Sequence, residues 1–481
     1  MKKIKWGSWL LALAILIPLL VGVYYYFHPI PDHYSQVGAI HQTDDVEFLR
    51  DLSYADQAGE LNHDQEIFDH VFQVIDEAEE FIVIDMFLFS DDYDHEKQSF
   101  PSLSKELVDR LVAKKRRSDI PIIFITDPLN SFYRTYEPEN YERMRDVGIE
   151  LVETDLLVLP DSNPVYSGFY RTYFQWFAPS RQGYLPNVFR PMGPRANIMS
   201  YLQLLNFKAN HRKTIVSDQE AMVISANPHD GSAWHSNIGL AVKGQVQNDL
   251  LTSEQAVYQD AGGNNPQQFA DFSHKIQTES DTDEGQYKVQ LLSEEKIKDK
   301  LLQVINQAKA GDQLQMGLFY LSDRDIVTAL KKANQRGALI QIILDVNQDA
   351  FGKQKIGIPN KVVAQELLDA SDNLQIRWYQ SHGEQYHAKF LHYKNAQETI
   401  FIGGSANFTK RNLGDFNLET DLAVTAPNDS EFAQAVASYY QTIWTNAGGN
   451  TYTVAYDHYA EDKWWKTVIY HLQERLGLSS F

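Results

Sequence analysis

Two short stretches of the sequence each place a lysine two residues after a histidine, NHRKTIVSD at 210–218 and YHAKFLHYK at 386–394. In a β-strand, residues two apart face the same side, so the histidine and lysine of each stretch would project together. An imidazole can attack an electrophile or exchange a proton. Two such pairs, one in each half of the chain, indicate a single site built from two related contributions. The pairs are His211 with Lys213, and His387 with Lys389.

A turn of small residues follows each pair and carries a serine and an asparagine, in VISANPHD and in IGGSANFTKRN. Hydroxyl and amide groups of this kind can hold the non-bridging oxygens of a phosphate. Farther along, Asn237 precedes GLAV and Glu419 precedes DLAV at matching positions. Each half of the chain therefore offers the same kinds of polar group in the same order. The turn residues are Ser225 and Asn227 in the first half, and Ser405 and Asn407 in the second.

The chain that carries these motifs is written twice. QVIDEA at 73–78 is echoed by QVINQA at 303–308, and in each half a later apolar strand ends in an aspartate, Asp127 or Asp345. Such echoes, in the same order in both halves, indicate a duplication. Helices that alternate with apolar strands predict the α/β class, with one α/β sandwich in each half. The predicted lobes span 46–265 and 286–450.

This ordered set resembles the phospholipase D superfamily, whose signature is His-x-Lys, an aspartate five residues after the lysine, and a later Gly-Ser-x-Asn turn. The stretch GGSANFTKRNLGDFNLE resembles cardiolipin-synthase-type sequences in particular. The resemblance covers about 46–450. It implies a duplicated phospholipase D-like α/β sandwich, with two lobes related by pseudo-twofold symmetry. It also implies a phosphodiesterase or phosphatidyltransferase that acts on phospholipids without a metal or other cofactor.

The resemblance also implies a role for each residue. His211 is expected to attack phosphorus and form a covalent phosphohistidine, since the first-half histidine is commonly the nucleophile in this family, while His387 protonates the leaving oxygen and later activates the acceptor. Lys213 and Lys389 would neutralise the phosphate, and Glu419 would orient a histidine. The remaining implied residues are Ser225, Asn227, Ser405 and Asn407 on the phosphate oxygens, with Asp218 and Asn237 in support.

The sequence departs from the family pattern at three places. Lys394 stands where the second half should carry the equivalent of Asp218, and Ile224 replaces the glycine of the first turn. The serine lies 14 residues after the histidine in the first half and 18 after it in the second. These departures leave a catalytically inactive membrane scaffold as one alternative to a phospholipid enzyme. A nuclease of the same superfamily that acts on single-stranded nucleic acid is the other, and an insertion rich in arginine and aromatic residues keeps it open.

The N-terminal segment predicts a membrane anchor over 1–28. Three lysines precede an uncharged apolar run from Trp6 to Phe27, long enough to span a bilayer core. The lysines predict a cytoplasmic N-terminus and an extracytoplasmic body, and no clean cleavage site for a signal peptide follows. A formal net charge of −21 disfavours nucleic acid as a partner, and the absence of cysteine excludes disulfides and thiolate metal sites. Phospholipid is the expected substrate, and the oligomeric state stays open.

Two further segments carry predictions. An insertion at about 160–200 includes YSGFYRTYFQWFAPSRQGYLPNVFRPMGPR, which is dense in aromatics and arginines and free of acids. Its composition fits a core-packed insertion and equally a lid over the substrate or a loop that contacts the membrane. The tail at 451–481 contains EDKWWKTVIYHLQERLGL, whose pattern predicts an amphipathic helix that packs against the body.

Overall fold

The structure is a computed structural model that describes residues 6–177, 180–190, 193–276, 285–350, 353–354, 356–370, 373–461 and 463–476. The α-helices in these ranges are α1 (Trp6–Tyr26), α2 (Ile67–Glu77), α3 (Leu103–Ser118), α4 (Glu139–Arg145), α5 (Pro164–Tyr173), α6 (Ile198–Leu204), α7 (Val246–Asp260), α8 (Gln268–Ser273), α9 (Glu295–Gln307), α10 (Arg324–Gln335), α11 (Asn360–Asp369), α12 (Glu431–Thr445) and α13 (Trp464–Leu476). Short 3-10 helices lie at Pro128–Ser131, Leu156–Val158, Asp230–Ser232, Ala447–Gly449 and Tyr456–His458.

The strands are β1 (His41–Thr43), β2 (Val46–Ala55), β3 (Leu61–Gln65), β4 (Ile82–Met86), β5 (Ile122–Thr126), β6 (Glu150–Glu153), β7 (Lys213–Ser217), β8 (Ala221–Ile224), β9 (Ile238–Val242), β10 (Tyr287–Ser293), β11 (Gln313–Leu318), β12 (Leu339–Leu344), β13 (Asp349–Ala350), β14 (Lys353–Gln354), β15 (Leu374–Tyr379), β16 (Lys389–Lys394), β17 (Glu398–Gly404), β18 (Thr420–Pro427) and β19 (Thr453–Ala455).

Two large mixed sheets share one strand order. The first runs β3-β2-β9-β8-β7-β4-β5-β6, and the second runs β1-β10-β18-β17-β16-β11-β12-β15-β19. Seven consecutive strands correspond, from β2 through β6 in the first sheet and from β10 through β15 in the second. The predicted fold class, a duplicated α/β sandwich with two related lobes, is confirmed. β1 and β19 lie outside the lobe boundaries predicted from the sequence, and both extend the second sheet.

The two sheets face each other across a shared core. The ring of Phe48 on β2 lies 5.4 Å from that of Phe401 on β17 and 5.2 Å from that of Tyr439 on α12. Helices α2, α3 and α4 cover the outer face of the first sheet, and α9, α10 and α11 cover that of the second. Central strands are apolar on both faces for this reason, as in β8, where all four residues are apolar and buried. This layering brings the inner ends of β7 and β16 to the junction of the lobes.

Three elements lie outside the sandwich. α1 is long and apolar enough to cross a membrane, judged by length and composition. α5 packs along α1, and it belongs to the insertion predicted at about 160–200. α13 packs on the second lobe, where the buried Tyr470 hydroxyl donates to the carbonyl oxygen of Ser322 at 3.0 Å.

Candidate active site

The two His-x-Lys motifs enter their sheets at the lobe junction. Each lysine is the first residue of its strand, Lys213 of β7 and Lys389 of β16. The backbone N–H of His211 donates to the carbonyl oxygen of Leu418 in the other lobe, at 2.9 Å. The backbone N–H of His387 likewise donates across the junction, to the carbonyl oxygen of Ser236 at 2.8 Å. Each histidine is therefore held by the lobe opposite its own, which brings the two motifs together.

The first histidine is oriented by a carboxylate from the second lobe. His211 Nδ1 lies 2.9 Å from Glu419 Oε2, and the same oxygen accepts a hydrogen bond from the Ser405 hydroxyl at 2.5 Å. The other oxygen, Glu419 Oε1, accepts from the Asn412 amide. With Nδ1 bonded to the carboxylate, Nε2 is the ring nitrogen left to react. Burial raises the pKa of the Glu419 carboxyl to about 8, and the charge of Lys213 acts in the opposite direction.

The second histidine is oriented by a neutral amide from the first lobe. Asn237 Oδ1 accepts from His387 Nδ1 at 3.2 Å and from the Ser225 hydroxyl at 3.2 Å. Asn237 Nδ2 donates to Asp51 Oδ2 at 3.3 Å and to the carbonyl oxygen of His235 at 3.0 Å. Since these bonds fix the oxygen and nitrogen of the amide, His387 must carry its proton on Nδ1. Its Nε2 is then also the reactive nitrogen.

The two lysines are fully buried beside the histidines. Lys213 Nζ donates to the carbonyl oxygen of His211 at 2.6 Å, and Lys389 Nζ to that of His387 at 2.5 Å. Burial lowers the pKa of Lys213 to about 7 and lowers that of Lys389 well below its usual range, with the charge of Lys213 adding to the shift at Lys389. The site thus holds two lysine amines bonded to neutral carbonyls, and an anionic ligand would stabilise their charged form.

Both histidines are also buried, with 7% of His211 and 6% of His387 exposed, so the site reaches solvent only narrowly. Burial lowers the pKa of each imidazole well below its usual range, and the two lysines add to the shift at both. Both imidazoles are therefore neutral near pH 7, which suits a nucleophile. An anion bound at the lysines would raise the pKa of His387 and allow it to carry a proton.

The predicted turn residues differ in their contacts. The hydroxyls of Ser225 and Ser405 each donate to an orienting residue, and each accepts a backbone N–H, from Ile238 or Thr420. A hydroxyl has one proton, so these contacts favour a positioning role for the serines over the predicted contact with phosphate. Asn227 and Asn407 are 5% and 6% exposed, close to the exposures of the histidines. That these two asparagines bind the phosphate oxygens stays a prediction.

Asp218 is not brought to the site. Its Oδ1 accepts hydrogen bonds from the backbone N–H groups of Glu79 and Glu80, both at 3.0 Å, in the loop between α2 and β4. It lies beyond the far end of β7, so its role is to fix this loop. In the second lobe the corresponding loop, between α9 and β11, contains its own aspartate, and Asp312 Oδ2 accepts from the backbone N–H of Lys309 at 3.1 Å. Lys394 is the last residue of β16.

Strand register explains the other two departures. Lys213 on β7 faces Ile224 on β8, and Lys389 on β16 faces Gly404 on β17, so both hairpins have the same register at the site. The four extra residues of the second hairpin lie at its far end. Ile224 in turn pairs with Gly239 on β9, which leaves room for its side chain. The first turn therefore forms without its glycine because a glycine stands on the neighbouring strand.

Several positioning residues were missed from the sequence. The rings of Phe87 and Phe319 lie 4.8 and 5.0 Å from those of His211 and His387. Each stands at the same place in the repeated strand, FLFSD or FYLSD, and that repetition was the available signal. The sequence repeats an aspartate at the end of one strand in each half without indicating its role. In the structure, both aspartates bind the backbone next to a histidine. Asp127 Oδ2 accepts from the backbone N–H of Asn210 at 2.7 Å, and Asp345 Oδ2 from that of Tyr386 at 2.9 Å, each one residue before a histidine.

Arg212, between the histidine and lysine of the first motif, was also missed. Its side chain is fully buried and donates to Glu294 Oε1 of the second lobe at 2.7 Å. The same Glu294 oxygen accepts from the backbone N–H of Glu419 at 3.2 Å. A buried arginine thus supports the strand that carries the orienting carboxylate. Within the described residues, no group of three or more His, Asp or Glu side chains is arranged to hold a metal ion.

Comparison with solved structures shows a likeness in fold. The structure is similar to that of phosphatidylserine synthase from Haemophilus influenzae Rd KW20, with a TM-score of 0.54, 9% identity, and coverage of 96% of this chain and 98% of that one. Nuc from Salmonella typhimurium, a phospholipase D family member, matches at a TM-score of 0.27 and 21% identity over 33% of this chain and 95% of its own. The first of these matches shows that the two chains share a fold over almost their whole length.

A stretch of the second lobe also matches a family model. Residues 301–444 match the model described as "Cardiolipin synthase, PLD-like domain". The matched stretch contains the second His-x-Lys motif, its turn and Glu419. No curated protein sequence matches the chain.

Proposed function

We propose that the protein is a membrane-anchored phosphodiesterase or phosphatidyltransferase that acts on phospholipids through a phosphohistidine on His211. The carrying observation is the pair of buried lysines bonded to neutral carbonyls beside two oriented imidazoles. The negative charge of a phosphodiester would raise the pKa of both lysines and favour their ammonium form. Their positive charge would in turn favour the ionised form of Glu419.

The difference between the orienting residues supports the order of roles. In the first step, Nε2 of His211 attacks phosphorus, the bond from phosphorus to the leaving oxygen breaks, and Nε2–H of His387 protonates that oxygen. The phosphorylated imidazole is cationic, and the Glu419 carboxylate at its Nδ1 would stabilise that charge. Asn237 offers His387 only a neutral oxygen, which keeps the protonated form of His387 acidic and ready to give up its proton.

The second step reverses the first with a new acceptor. Nε2 of His387, now neutral, takes a proton from water or from an alcohol of a second lipid. The acceptor oxygen attacks phosphorus and the phosphorus–nitrogen bond breaks, so His211 returns to its free state. Water as acceptor gives hydrolysis, and an alcohol gives phosphatidyl transfer.

A phospholipid substrate is supported by two independent features. The matched family model is that of a cardiolipin synthase domain, and α1 can cross a membrane by its length and composition. An acidic surface disfavours long polyanions such as nucleic acid, whereas a single headgroup phosphate needs only the local charge of the two lysines. The predicted topology, with a cytoplasmic N-terminus and the body on the other side, belongs to this proposal.

The test uses the full-length protein in vesicles that contain labelled phospholipids, with labelled single-stranded DNA in a parallel assay. We expect a new lipid product, either phosphatidic acid or a transphosphatidylation product. Cleavage of the DNA alone would favour the superfamily nuclease, and no turnover of either substrate by folded protein would favour the inactive scaffold.

The roles are tested with a phosphodiester whose leaving group needs no protonation. His387→Ala should accumulate an acid-labile, base-stable phosphoenzyme, because the group that activates the acceptor is missing. His211→Ala should form none, and His458→Ala, which removes an exposed histidine, should behave as wild type. The reverse pattern would exchange the two roles. Turnover with no adduct in any variant would instead indicate direct attack by water.

A further inference from the structure

Helices α1 and α5 pack with their backbones in direct contact. A Cβ atom added to Gly22 would lie 1.9 Å from the carbonyl oxygen of Pro164, and one added to Gly168 would lie 2.1 Å from that of Pro18. Residues later in α5 contact residues earlier in α1, so the two helices run antiparallel. Close packing through glycines is the usual way in which helices associate inside a membrane, where no hydrophobic effect drives them together.

A second contact satisfies a carbonyl that α1 cannot satisfy itself. Pro18 has no backbone N–H, so the carbonyl oxygen of Ala14 lacks its helical partner. The Tyr173 hydroxyl donates to that oxygen at 2.8 Å. Water could do this for a helix at a protein surface, but in hydrocarbon a backbone carbonyl needs a partner from the protein. The bond is what a pair of helices in an apolar medium requires.

The length of α1 fixes how deep this contact lies. Its 21 residues span about 31 Å, close to the roughly 30 Å of a bilayer core. Beyond the contact with Tyr173, only the eight residues 6–13 remain in the helix, about 12 Å of rise, too little to cross alone. If α1 crosses the bilayer, the stretch that packs on α5 must lie in hydrocarbon, and α5 must lie there with it.

The surface of α5 and the residues after it suit that position. We call Tyr173–Phe177 the aromatic tip; within it, Trp176 is 75% exposed and Phe177 is 61% exposed. The stretch 164–177 contains no acidic residue, and its one charged side chain turns inward. Arg171 is 4% exposed and donates from Nε to Asp161 Oδ2 at 2.7 Å. The outward face is therefore apolar and aromatic.

We propose that α1 and α5 form a pair of antiparallel helices that enters the bilayer from the side of the body, with the aromatic tip among the acyl chains. The body would then be seated in the membrane surface and not tethered above it. This inference goes beyond the proposed chemistry and does not depend on it. The base of α5 connects toward the active site, since Arg411 donates both to the Ser162 hydroxyl and to the carbonyl oxygen of Phe207, four residues before His211.

Because the chain has no cysteine, a single introduced cysteine can report its own surroundings. Full-length Phe177→Cys is labelled with an environment-sensitive fluorophore and reconstituted in vesicles of phosphatidylcholine and phosphatidylglycerol with nitroxide-labelled acyl chains. Leu20→Cys, on the exposed face of α1, and Leu339→Cys, exposed at the start of β12 in the second lobe, are the matched controls. We expect the label at 177 to be quenched severalfold, as at 20, and the label at 339 to be unaffected.

Quenching at 20 with none at 177 would place α5 outside the bilayer and overturn the inference. An absence of quenching at 20 would overturn it as well, because α1 would then not cross. Trp176→Cys serves as a second probe of the aromatic tip, and circular dichroism of each variant checks its fold. The readout does not use turnover, so a failure of the proposed chemistry and a failure of the helix pair are told apart.

Discussion

The two lobes orient their partner histidines with different groups, and the middle residue of each His-x-Lys motif explains why. In the second lobe, Glu419 lies next to a second carboxylate, Glu294, which Arg212 of the first motif neutralises. In the first lobe, Asn237 lies next to Asp51. The second motif has Ala388 in place of an arginine, so no matching cation reaches this aspartate from that position.

A carboxylate in place of Asn237 would therefore bring two acids together, whereas the amide donates to one acid and accepts from the histidine. Burial already raises the pKa of Asp51 to about 7, while hydrogen bonds from the backbone N–H groups of Ile67 and Glu66 act in the opposite direction. The difference in charge between the two orienting residues, Glu419 and Asn237, thus follows from the residue between histidine and lysine. In the proposed mechanism, this difference divides the roles of the two histidines.

The most direct way to break this comparison is Glu419→Gln. The amide preserves the size of the side chain but removes the charge that would stabilise the phosphorylated imidazole, so we expect kcat to fall by about 10⁴-fold, as for other carboxylates that orient a catalytic histidine. Asn237→Ala, the matched change in the first lobe, should cost about 10- to 100-fold, because only the orientation of the ring is lost. Steady-state kinetics on one phosphodiester measures both. Equal losses would remove the proposed division of roles.

Arg212→Met tests whether the charge of Arg212 stabilises the buried carboxylates that surround it. The change leaves Glu294 and the nearby Glu254 buried without their arginine, which should lower the free energy of unfolding by about 3 kcal/mol or more. Urea denaturation in detergent gives the value. Adding Glu294→Gln should restore part of the loss. A double variant as unstable as the single one would mean that Arg212 contributes through packing alone.

The sequence was sufficient for the fold because each element carries its own pattern, such as the fully apolar β8 and the repeated aspartates. It was also sufficient for the histidines and lysines, whose spacing is local. The crossed pairing of His211 with Glu419 was beyond its reach, because 208 residues separate the partners and the bond depends on how the lobes face each other. The sequence alone could not show that the first turn forms with Ile224 in place of glycine. That depends on Gly239, which lies opposite Ile224 on a neighbouring strand.

Asn237→Asp sharpens the comparison by giving the first lobe the acid that it lacks. The new carboxylate would raise the pKa of His387 and face Asp51, so we expect kcat/KM to fall about tenfold, with its pH dependence moved to higher pH. Adding Asp51→Asn should restore most of the activity, because one acid of the pair is removed while the oxygen that accepts from the backbone N–H groups of Glu66 and Ile67 remains. Activity that does not recover in the double variant would argue against repulsion between acids as the reason for the asparagine.

The smallest effect concerns stability in acid, and it distinguishes the same hairpin in the two lobes. His392 on β16 is buried and pairs with Gln315 on β11, where the first lobe has Val216 opposite Val83. Burial, with some help from the charge of Lys394, lowers the pKa of His392 to about 4. The unfolded chain takes up a proton near pH 6.5 and the folded protein does not, so the stability that this residue contributes is lost as the pH falls from 6.5 toward 4. The loss is about 1.4 kcal/mol for each pH unit.

Copying the first lobe with Gln315→Val and His392→Val together should remove about 1.4 kcal/mol of acid destabilisation at pH 5.5, measured as the change in urea midpoint between pH 7.5 and 5.5. An unchanged slope would show that His392 takes up its proton in the folded state, through an opening of the second hairpin that the shorter hairpin of the first lobe does not need.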